Sequence, residues 1–207
     1  MSTQSRYAIS TAIVLIASAL SFTFLDRQTA LFYRALDTPP WHEVFDTITR
    51  FGQSEWYLVP GLILYVLFRK SRPTLSWTAL FVFAVTAVSG IAANIVKFIL
   101  GRARPGLFFQ EGVYGLDWFN AAHAWTSFPS GHSATAFSVA AALVLIYPGA
   151  APLFYGAAAI IAFSRIFLGQ HYLSDVIAGS FLGIATSLIL YNRYFKQRIH
   201  APQELKP

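Results

Sequence analysis

The chain has 207 residues, of which 56% are hydrophobic and only 12% are charged, with a net charge of +6 and no cysteine. A soluble domain carries about 25% charged residues, so this composition excludes an ordinary soluble protein and predicts an integral membrane protein. The absence of cysteine excludes disulfides, cysteine metal sites and a cysteine nucleophile. Because helix orientation explains the positive charge of a membrane protein, we expect no nucleic-acid partner.

The first predicted element is an uncharged apolar helix over residues 7–25, long enough to cross a bilayer. Residues 26–55 carry charged side chains throughout and predict no simple span. Within them, apolar residues recur at helical spacing after Pro39-Pro40, namely Trp41, Val44, Phe45, Ile48 and Phe51. This pattern predicts an amphipathic helix in the membrane interface; the alternative is that the helix packs on the protein's own loops.

Further apolar segments follow the amphipathic helix and predict the remaining spans, at residues 56–68, 74–96, 131–147, 153–168 and 175–191. The sequence thus predicts an all-α membrane protein with six transmembrane helices plus one interfacial amphipathic helix after the first span. No linker or internal repeat divides the chain, so residues 1–207 are expected to form one domain. The loop before the fourth span is rich in aromatic residues over 106–128, which is typical of an aromatic belt or of a ligand pocket.

Basic residues predict the orientation of these spans. An even number of spans places both termini on one side, which is also the side of the short basic turn formed by Arg69, Lys70 and Arg72. Short basic loops weigh most in the positive-inside rule, so the termini are expected to be cytoplasmic. The 26–55 segment and the 101–128 loop then face the outer side.

Polar groups cluster at three span ends that all fall on this outer side. The first cluster holds Lys97 and Arg104, followed by Pro105 at the end of the third span. Lys97 and Arg104 are seven residues apart and would share a helix face if the helix continued through Gly101. Arg102, between them, is expected to point elsewhere, toward lipid headgroups or toward the same anion.

The second cluster, Pro129-Ser130-Gly131-His132, opens the fourth span. Ser130 is a good N-cap residue, and a free helix N-terminus binds anions. The third cluster joins the fifth and sixth spans through Ser164-Arg165, His171 and Asp175. His171 and Asp175 are four residues apart, which lets the carboxylate reach the imidazole ring.

Cations converging near a bilayer need an anion, and guanidinium groups match the oxygens of a phosphate. The residues therefore predict a phosphate site formed by Lys97, Arg104, Ser130, Gly131 and Arg165. His171, oriented by Asp175, would attack phosphorus and form phosphohistidine. His132 would protonate the leaving oxygen and then take a proton from water.

The three clusters resemble, in order, the signature of the type 2 phosphatidic acid phosphatase family. That signature reads Lys-x6-Arg-Pro, then Pro-Ser-Gly-His, then Ser-Arg-x5-His-x3-Asp, and every defining position is present between Lys97 and Asp175. The resemblance covers about residues 50–191 and implies a metal-independent hydrolase of lipid phosphates or diphosphates in a bacterial inner membrane. It implies no cofactor and no protein partner beyond the lipid substrate and the bilayer. Soluble vanadate-dependent haloperoxidases share the signature, but the apolar spans argue against that branch.

Several alternatives stay open at this stage. His132, His171 and Asp175 are possible metal ligands, although the surrounding cations would repel a metal ion. Ser130 is a possible nucleophile, although side chains two residues apart on a helix point in different directions. His123 is expected to face water.

The function could also be phosphoryl transfer to another lipid, or non-catalytic transport or scaffolding of anionic lipids. The candidate substrates are phosphatidylglycerol phosphate, phosphatidic acid, undecaprenyl diphosphate and the 1-phosphate of lipid A.

Overall fold

The computed structural model describes residues 3–200, over which the regular structure is helical apart from an isolated bridge between Arg102 and Leu116. The helices are α1 (Thr3–Leu20), α2 (Asp26–Leu36), α3 (Pro39–Arg50), α4 (Glu55–Phe68), α5 (Pro73–Leu100), α6 (Pro105–Glu111), α7 (Gly131–Ile146), α8 (Ala151–Phe167), α9 (Leu173–Leu190) and α10 (Lys196–His200). Single π-helical turns at Ser21–Leu25 and Tyr191–Phe195 join α1 to α2 and α9 to α10, and 3₁₀ turns lie at His123–Trp125 and Pro148–Ala150. The predicted all-α class is confirmed.

In the described range, four helical stretches are long and apolar enough to cross a membrane, at Ala8–Leu36, Pro73–Leu100, Pro148–Phe167 and Leu173–His200. The other two predicted spans correspond to shorter helices. Helix α7 is apolar but has 16 residues, and α4 has 14 residues with Pro60 inside it. Since a helix needs about 20 residues to cross a bilayer, the structure has four candidate spans rather than the predicted six.

The predicted end of the first span at Leu25 is wrong. The helix continues through the π-helical turn and α2, and the candidate span reaches Leu36. The charge of Asp26 suggested a break, but its side chain is fully buried and paired with Arg102. A carboxylate that is paired inside the protein does not face lipid, so it does not interrupt the span.

Helix α3 begins at Pro39, as its Pro-Pro pair predicts, and packs on α8. The Phe45 ring lies 4.2 Å from that of Phe167, measured between centroids, and Thr49 is buried. Trp41 and Phe51 remain more than half exposed at the two ends of the helix. One side of α3 therefore packs against the rest of the protein, while the large apolar side chains at its two ends remain exposed.

Helices α7 and α9 pack closely because α9 presents glycine to α7 at Gly179 and Gly183. A Cβ at Gly183 would lie 2.7 Å from the backbone nitrogen of Ser138, and one at Gly179 would overlap the Ser130 carbonyl. Spacing of small residues by four brings helix backbones together in membranes. This contact holds the start of α7 against the start of α9.

Helix α5 ends at Leu100, and Gly101 adopts the left-handed conformation with φ of 53°. The helix therefore does not continue to Arg104, and Lys97 and Arg104 do not share a helix face. The chain after Gly101 folds back along α5, with Asp117 N donating to Gly101 O over 2.7 Å and Ser127 N donating to Arg102 O over 3.0 Å. This loop, rather than a helix, brings Arg104 toward Lys97.

Replacing Gly183 with valine should weaken the α7–α9 contact, because the new side chain overlaps α7 backbone. Overpacking of this kind costs about 1–3 kcal/mol. We expect the thermal unfolding temperature of the purified protein in detergent to fall by about 3–10 °C. Gly156→Val is the matched control, since nothing lies within 4 Å of a Cβ at Gly156. Equal unfolding temperatures for the two variants would show that close α7–α9 contact does not limit stability.

Candidate functional site

Lys97 and Arg104 meet at one backbone carbonyl. Lys97 donates from Nζ to Thr126 O over 2.8 Å, and Arg104 donates from Nη2 to the same oxygen over 3.3 Å. Arg104 also donates from Nε to His123 O over 3.0 Å and from Nη1 to Gln170 O over 3.4 Å. Within the described range neither cation forms an ion pair. Both charges therefore remain available to an anionic ligand.

His123 lies beside this pair at the edge of the site. The positive charge of Arg104, and to a smaller extent burial, lowers the pKa of His123 below its usual value. Its ring is thus neutral at pH 7 and adds no further positive charge. His123 is exposed, as expected, and it also shares a cavity wall with Lys97 and Arg104.

Ser130 caps helix α7, as its sequence position predicts. Its Oγ accepts from Ser133 N over 3.4 Å and from Ser133 Oγ over 2.9 Å, and its N–H donates to Asp175 O over 2.9 Å. The side chain is fully buried. These contacts fix the turn and leave Ser130 poorly placed to act as a nucleophile. Gly131 has open space where a Cβ would be, which keeps the helix start accessible.

His132 and Arg165 face a second part of the site, beneath α3. Arg165 donates from Nη1 to Thr49 Oγ1 over 2.7 Å, and its buried Nε has no hydrogen-bond partner in the described range. A Cβ at Gly52 would lie 2.8 Å from His132 Cδ2, so the glycine makes room for the ring. Thr49 and Gly52 contribute to the site without belonging to any of its three sequence clusters.

His171 lies in the α8–α9 turn, four residues before Asp175. Its Nδ1 is 3.5 Å from Asp175 Oδ2, within ion-pair range but longer than a normal hydrogen bond. Burial lowers the pKa of His171 well below its usual value, and Lys97 and Arg104 add to this effect against the opposing influence of Asp175. The ring is therefore neutral at pH 7, the form that keeps a nitrogen lone pair.

Asp175 is fully buried and held by donors from separate parts of the chain. Its Oδ2 accepts from Ser127 Oγ over 2.6 Å and from Tyr172 N over 2.8 Å. Its Oδ1 accepts from Nη1 of Arg102. The carboxylate is thus fixed in position independently of His171.

Arg102 is the site residue that the sequence interpretation placed wrongly. It contacts neither lipid headgroups nor an anion pocket, because only 1% of its surface is exposed. Its Nη2 donates to Asp26 Oδ2 over 2.6 Å, while Nη1 also donates to Ser174 Oγ over 2.6 Å. Asp26 was missed as well. The signal in the sequence is its position at the end of a long apolar run, because a charged residue that lies within a span pairs inside the protein.

Two cavities border these groups. One of about 390 Å³ has His132 and Arg165 in its wall, together with polar residues of α3. The other, of about 400 Å³, is lined by Lys97, Arg104 and His123. The two cavities adjoin each other, because Arg104 lines the second and donates from Nη1 to the carbonyl of Gln170, which lines the first. The structure thus brings Lys97, Arg104, Arg165 and His132 to these two cavities, while Ser130, Gly131 and His171 are in the wall of neither.

The chemistry of this region favours an anion over a metal ion. Among residues 3–200, no group of three or more histidine, aspartate or glutamate side chains is arranged to hold a metal. Asp175 already accepts three hydrogen bonds, including one from a cation. Three further cations with neutral partners suit the oxygens of a phosphate.

Comparison with protein families gives a match over most of the chain. The model of the PAP2 superfamily matches residues 61–199, which include all three motif clusters. The lipid A 1-phosphatase of Rhizobium etli is 34% identical over 159 residues, covering 71% of this chain and 68% of that protein. The lipid A 1-phosphatase of Rhizobium johnstonii is 34% identical over 156 residues, covering 70% of this chain and 64% of that protein.

The fold is also found in a solved structure. The transmembrane PAP2-type phosphatidylglycerolphosphate phosphatase of Bacillus subtilis superposes with a TM-score of 0.69 at 24% identity, covering 92% of this chain and 96% of that one. At this identity the likeness concerns the fold alone. The family match over residues 61–199 and the Rhizobium etli relative, with the apolar spans, show that the chain belongs to the PAP2 superfamily and is a multi-pass membrane lipid phosphatase.

Proposed function

We propose that the protein is a lipid A 1-phosphatase, which removes the phosphate attached to the reducing-end sugar of an acylated glycan. The observation that carries the proposal is that Lys97, Arg104, Arg165 and His132 line two adjoining cavities, with Arg104 bonded to the Gln170 carbonyl next to His171. The choice of lipid A rests on the Rhizobium relatives, whose identity of 34% extends over about 70% of the chain.

The first chemical step makes a covalent intermediate. The neutral His171 ring attacks phosphorus through Nε2, since Nδ1 is the nitrogen that faces Asp175. The negative charge of the bound phosphate favours the protonated form of His132. As the N–P bond forms, the bond from phosphorus to the sugar oxygen breaks, and protonated His132 gives that oxygen its proton. Asp175 stabilises the positive charge that develops on the His171 ring.

The second step returns the enzyme to its starting state. A water molecule gives a proton to His132 while its oxygen attacks phosphorus, and the N–P bond breaks to release inorganic phosphate. Lys97, Arg104, Arg165 and the amides at the start of α7 compensate the charge on the phosphoryl oxygens in both steps. No metal ion or cofactor takes part in this scheme.

The cavity beside His132 suits a sugar leaving group. His132 must be next to the oxygen that departs, so the leaving group occupies the cavity that this ring borders. The wall of that cavity is mainly polar, formed by His42, Asp46, Thr49, Arg50, Gln53, Arg165, Leu168 and Gln170. Such groups pair with the hydroxyls of a sugar better than with an isoprenoid chain.

The membrane arrangement proposed for this function keeps six crossings and one domain over residues 1–207. Helices α4 and α7 would cross as shorter elements beside the four longer spans. The basic turn at 69–72 would be cytoplasmic and the catalytic groups would face the periplasm of a bacterial inner membrane. Trp41 and Phe51, exposed at the ends of α3, would then lie in the outer interface, next to the substrate headgroup.

Substitution of the histidines tests the catalytic roles. His171→Ala removes the nucleophile, so phosphate release should become undetectable. His132→Ala removes only proton transfer and should lower kcat by about 10²–10⁴-fold. Released phosphate is measured with protein in detergent, and His200→Ala, at the end of α10, is the control for losing a histidine ring outside the site. Full turnover by His171→Ala would exclude phosphohistidine chemistry.

Inhibitors test the nature of the site. Vanadate mimics the five-coordinate phosphorus of the transition state, so it should inhibit competitively with the lipid. Prior treatment with EDTA should leave the rate unchanged, because the proposed mechanism uses side chains alone. Loss of activity with EDTA and recovery on adding a divalent metal would contradict the mechanism.

A substrate panel tests the assignment to lipid A. The purified protein is offered lipid A, phosphatidylglycerol phosphate, phosphatidic acid and undecaprenyl diphosphate, and both free phosphate and phosphorylated lipid products are measured. We expect kcat/KM to be highest for lipid A, with loss of the 1-phosphate as inorganic phosphate. Transfer to a second lipid would identify a phosphotransferase, and binding without turnover would identify a transporter or scaffold.

A further inference from the structure

A buried ion cluster lies behind the catalytic histidine, formed by Asp26, Arg102, Ser174 and Asp175. We propose that Asp26 and Arg102 are positioning residues that set the place and the charge of Asp175, and through it the reactivity of His171. The inference rests on the proposed role of His171 as nucleophile and not on the identity of the lipid.

Arg102 links the two carboxylates through separate arms of its guanidinium. Nη1 donates to Asp175 Oδ1, and Nη2 donates to Asp26 Oδ2 over 2.6 Å. Asp26 is in turn held by Ser21 Oγ over 2.7 Å and by Ser174 N over 3.0 Å. Because the guanidinium is planar and rigid, the position of Asp26 fixes the direction from which Arg102 reaches Asp175.

The contacts with Ser174 connect the cluster directly to the helix that carries Asp175. Ser174 Oγ lies between Arg102 Nη1 and Asp26 Oδ2, 2.6 Å from the first and 2.5 Å from the second. Ser174 immediately precedes Asp175 in the first turn of α9. The first turn of α9 is therefore held to α2, in a different part of the chain.

Asp26 lies outside the part of the chain that the family model matches, residues 61–199. The first candidate span, Ala8–Leu36, thus supplies a charged group to the environment of the catalytic residues. A role restricted to anchoring this span would need only one ion pair with Arg102. The structure instead places the same guanidinium on the catalytic carboxylate.

The charges in the cluster do not cancel. One guanidinium lies between two carboxylates, all of them 1% exposed or less. The negative charge of Asp26 therefore offsets part of the positive charge of Arg102. Asp175 then keeps enough negative charge to stabilise the His171 ring when the ring becomes positive. Other charged and polar groups also surround His171 and Asp175. They are Lys97 from α5, Arg104 and Ser127 from the 101–128 loop, and Tyr172 and Tyr114, which lie near Arg102.

Two variants distinguish the effect of the charge of Asp26 from the effect of the geometry of Arg102. Asp26→Asn keeps the shape but removes a negative charge, so the pKa of His171 should fall and the acid limb of kcat/KM should move to lower pH by about half to one unit. Arg102→Lys keeps the charge but loses the two-armed link, so kcat should fall by about 10- to 100-fold with the acid limb unmoved. KM should change little in both variants.

The rate is followed with p-nitrophenyl phosphate from pH 4 to 9, and vanadate affinity is measured over the same range. Vanadate binding also requires a neutral His171, so its pH dependence should shift as the acid limb does. Neither probe depends on lipid A, so the cluster is tested even if another lipid is the substrate. Glu111→Gln and Arg193→Gln are the controls, since both residues are exposed and neither takes part in the ion pairs of the cluster.

The unfolding temperature of each variant separates positioning from stability. The proposal requires that kcat of Arg102→Lys falls in protein that is still folded at the assay temperature. It is overturned if Asp26→Asn leaves both the pH profile and the vanadate profile superimposable on those of the unaltered protein. It is also overturned if Arg102→Lys keeps full kcat, because the link would then have no effect on His171.

Discussion

The buried pairing of Arg102 with Asp26 and Asp175 is the interaction on which the rest of the site depends. Leaving one of these charges without its partner inside the protein would cost about 3–5 kcal/mol. The cluster therefore forces the 101–128 loop, the first membrane helix and the start of α9 into one arrangement. His171 and the start of α7 take their positions from that arrangement, since Ser130 N is bonded to the backbone of Asp175.

The cations that line the cavities of the site, in contrast, are not paired with carboxylates in the described part of the chain. Lys97, Arg104 and Arg165 contact a carbonyl or hydroxyl oxygen and form no ion pair within residues 3–200. Like charges placed together near a membrane are unfavourable until an anion arrives, so binding of a phosphate relieves the repulsion. One half of the site is thus neutralised by the protein itself, and under the proposed function the phosphate of the substrate neutralises the other half.

Much of this site could be predicted from short-range patterns. The cap at Ser130 and the start of α3 at Pro39 depend on neighbouring residues, and the structure has both. The approach of His171 to Asp175 is also local, because His171 lies in the turn that leads into α9. Arg102 could not be placed in the same way. Its direction follows from Gly101, where the helix ends and the loop turns back, and its partners are more than 70 residues away in both directions.

The sequence by itself determined the helical class, the membrane character and the three polar clusters, because composition, periodicity and local motif spacing carry that information along the chain. It also determined the family through the order of those clusters. Only the tertiary structure decided that Asp26 belongs with Asp175, that Thr49 and Gly52 border the histidine site, and that α4 and α7 are short. The physical reason is that a buried charge is stable only beside its partner, and the partner is chosen by the packing of distant helices.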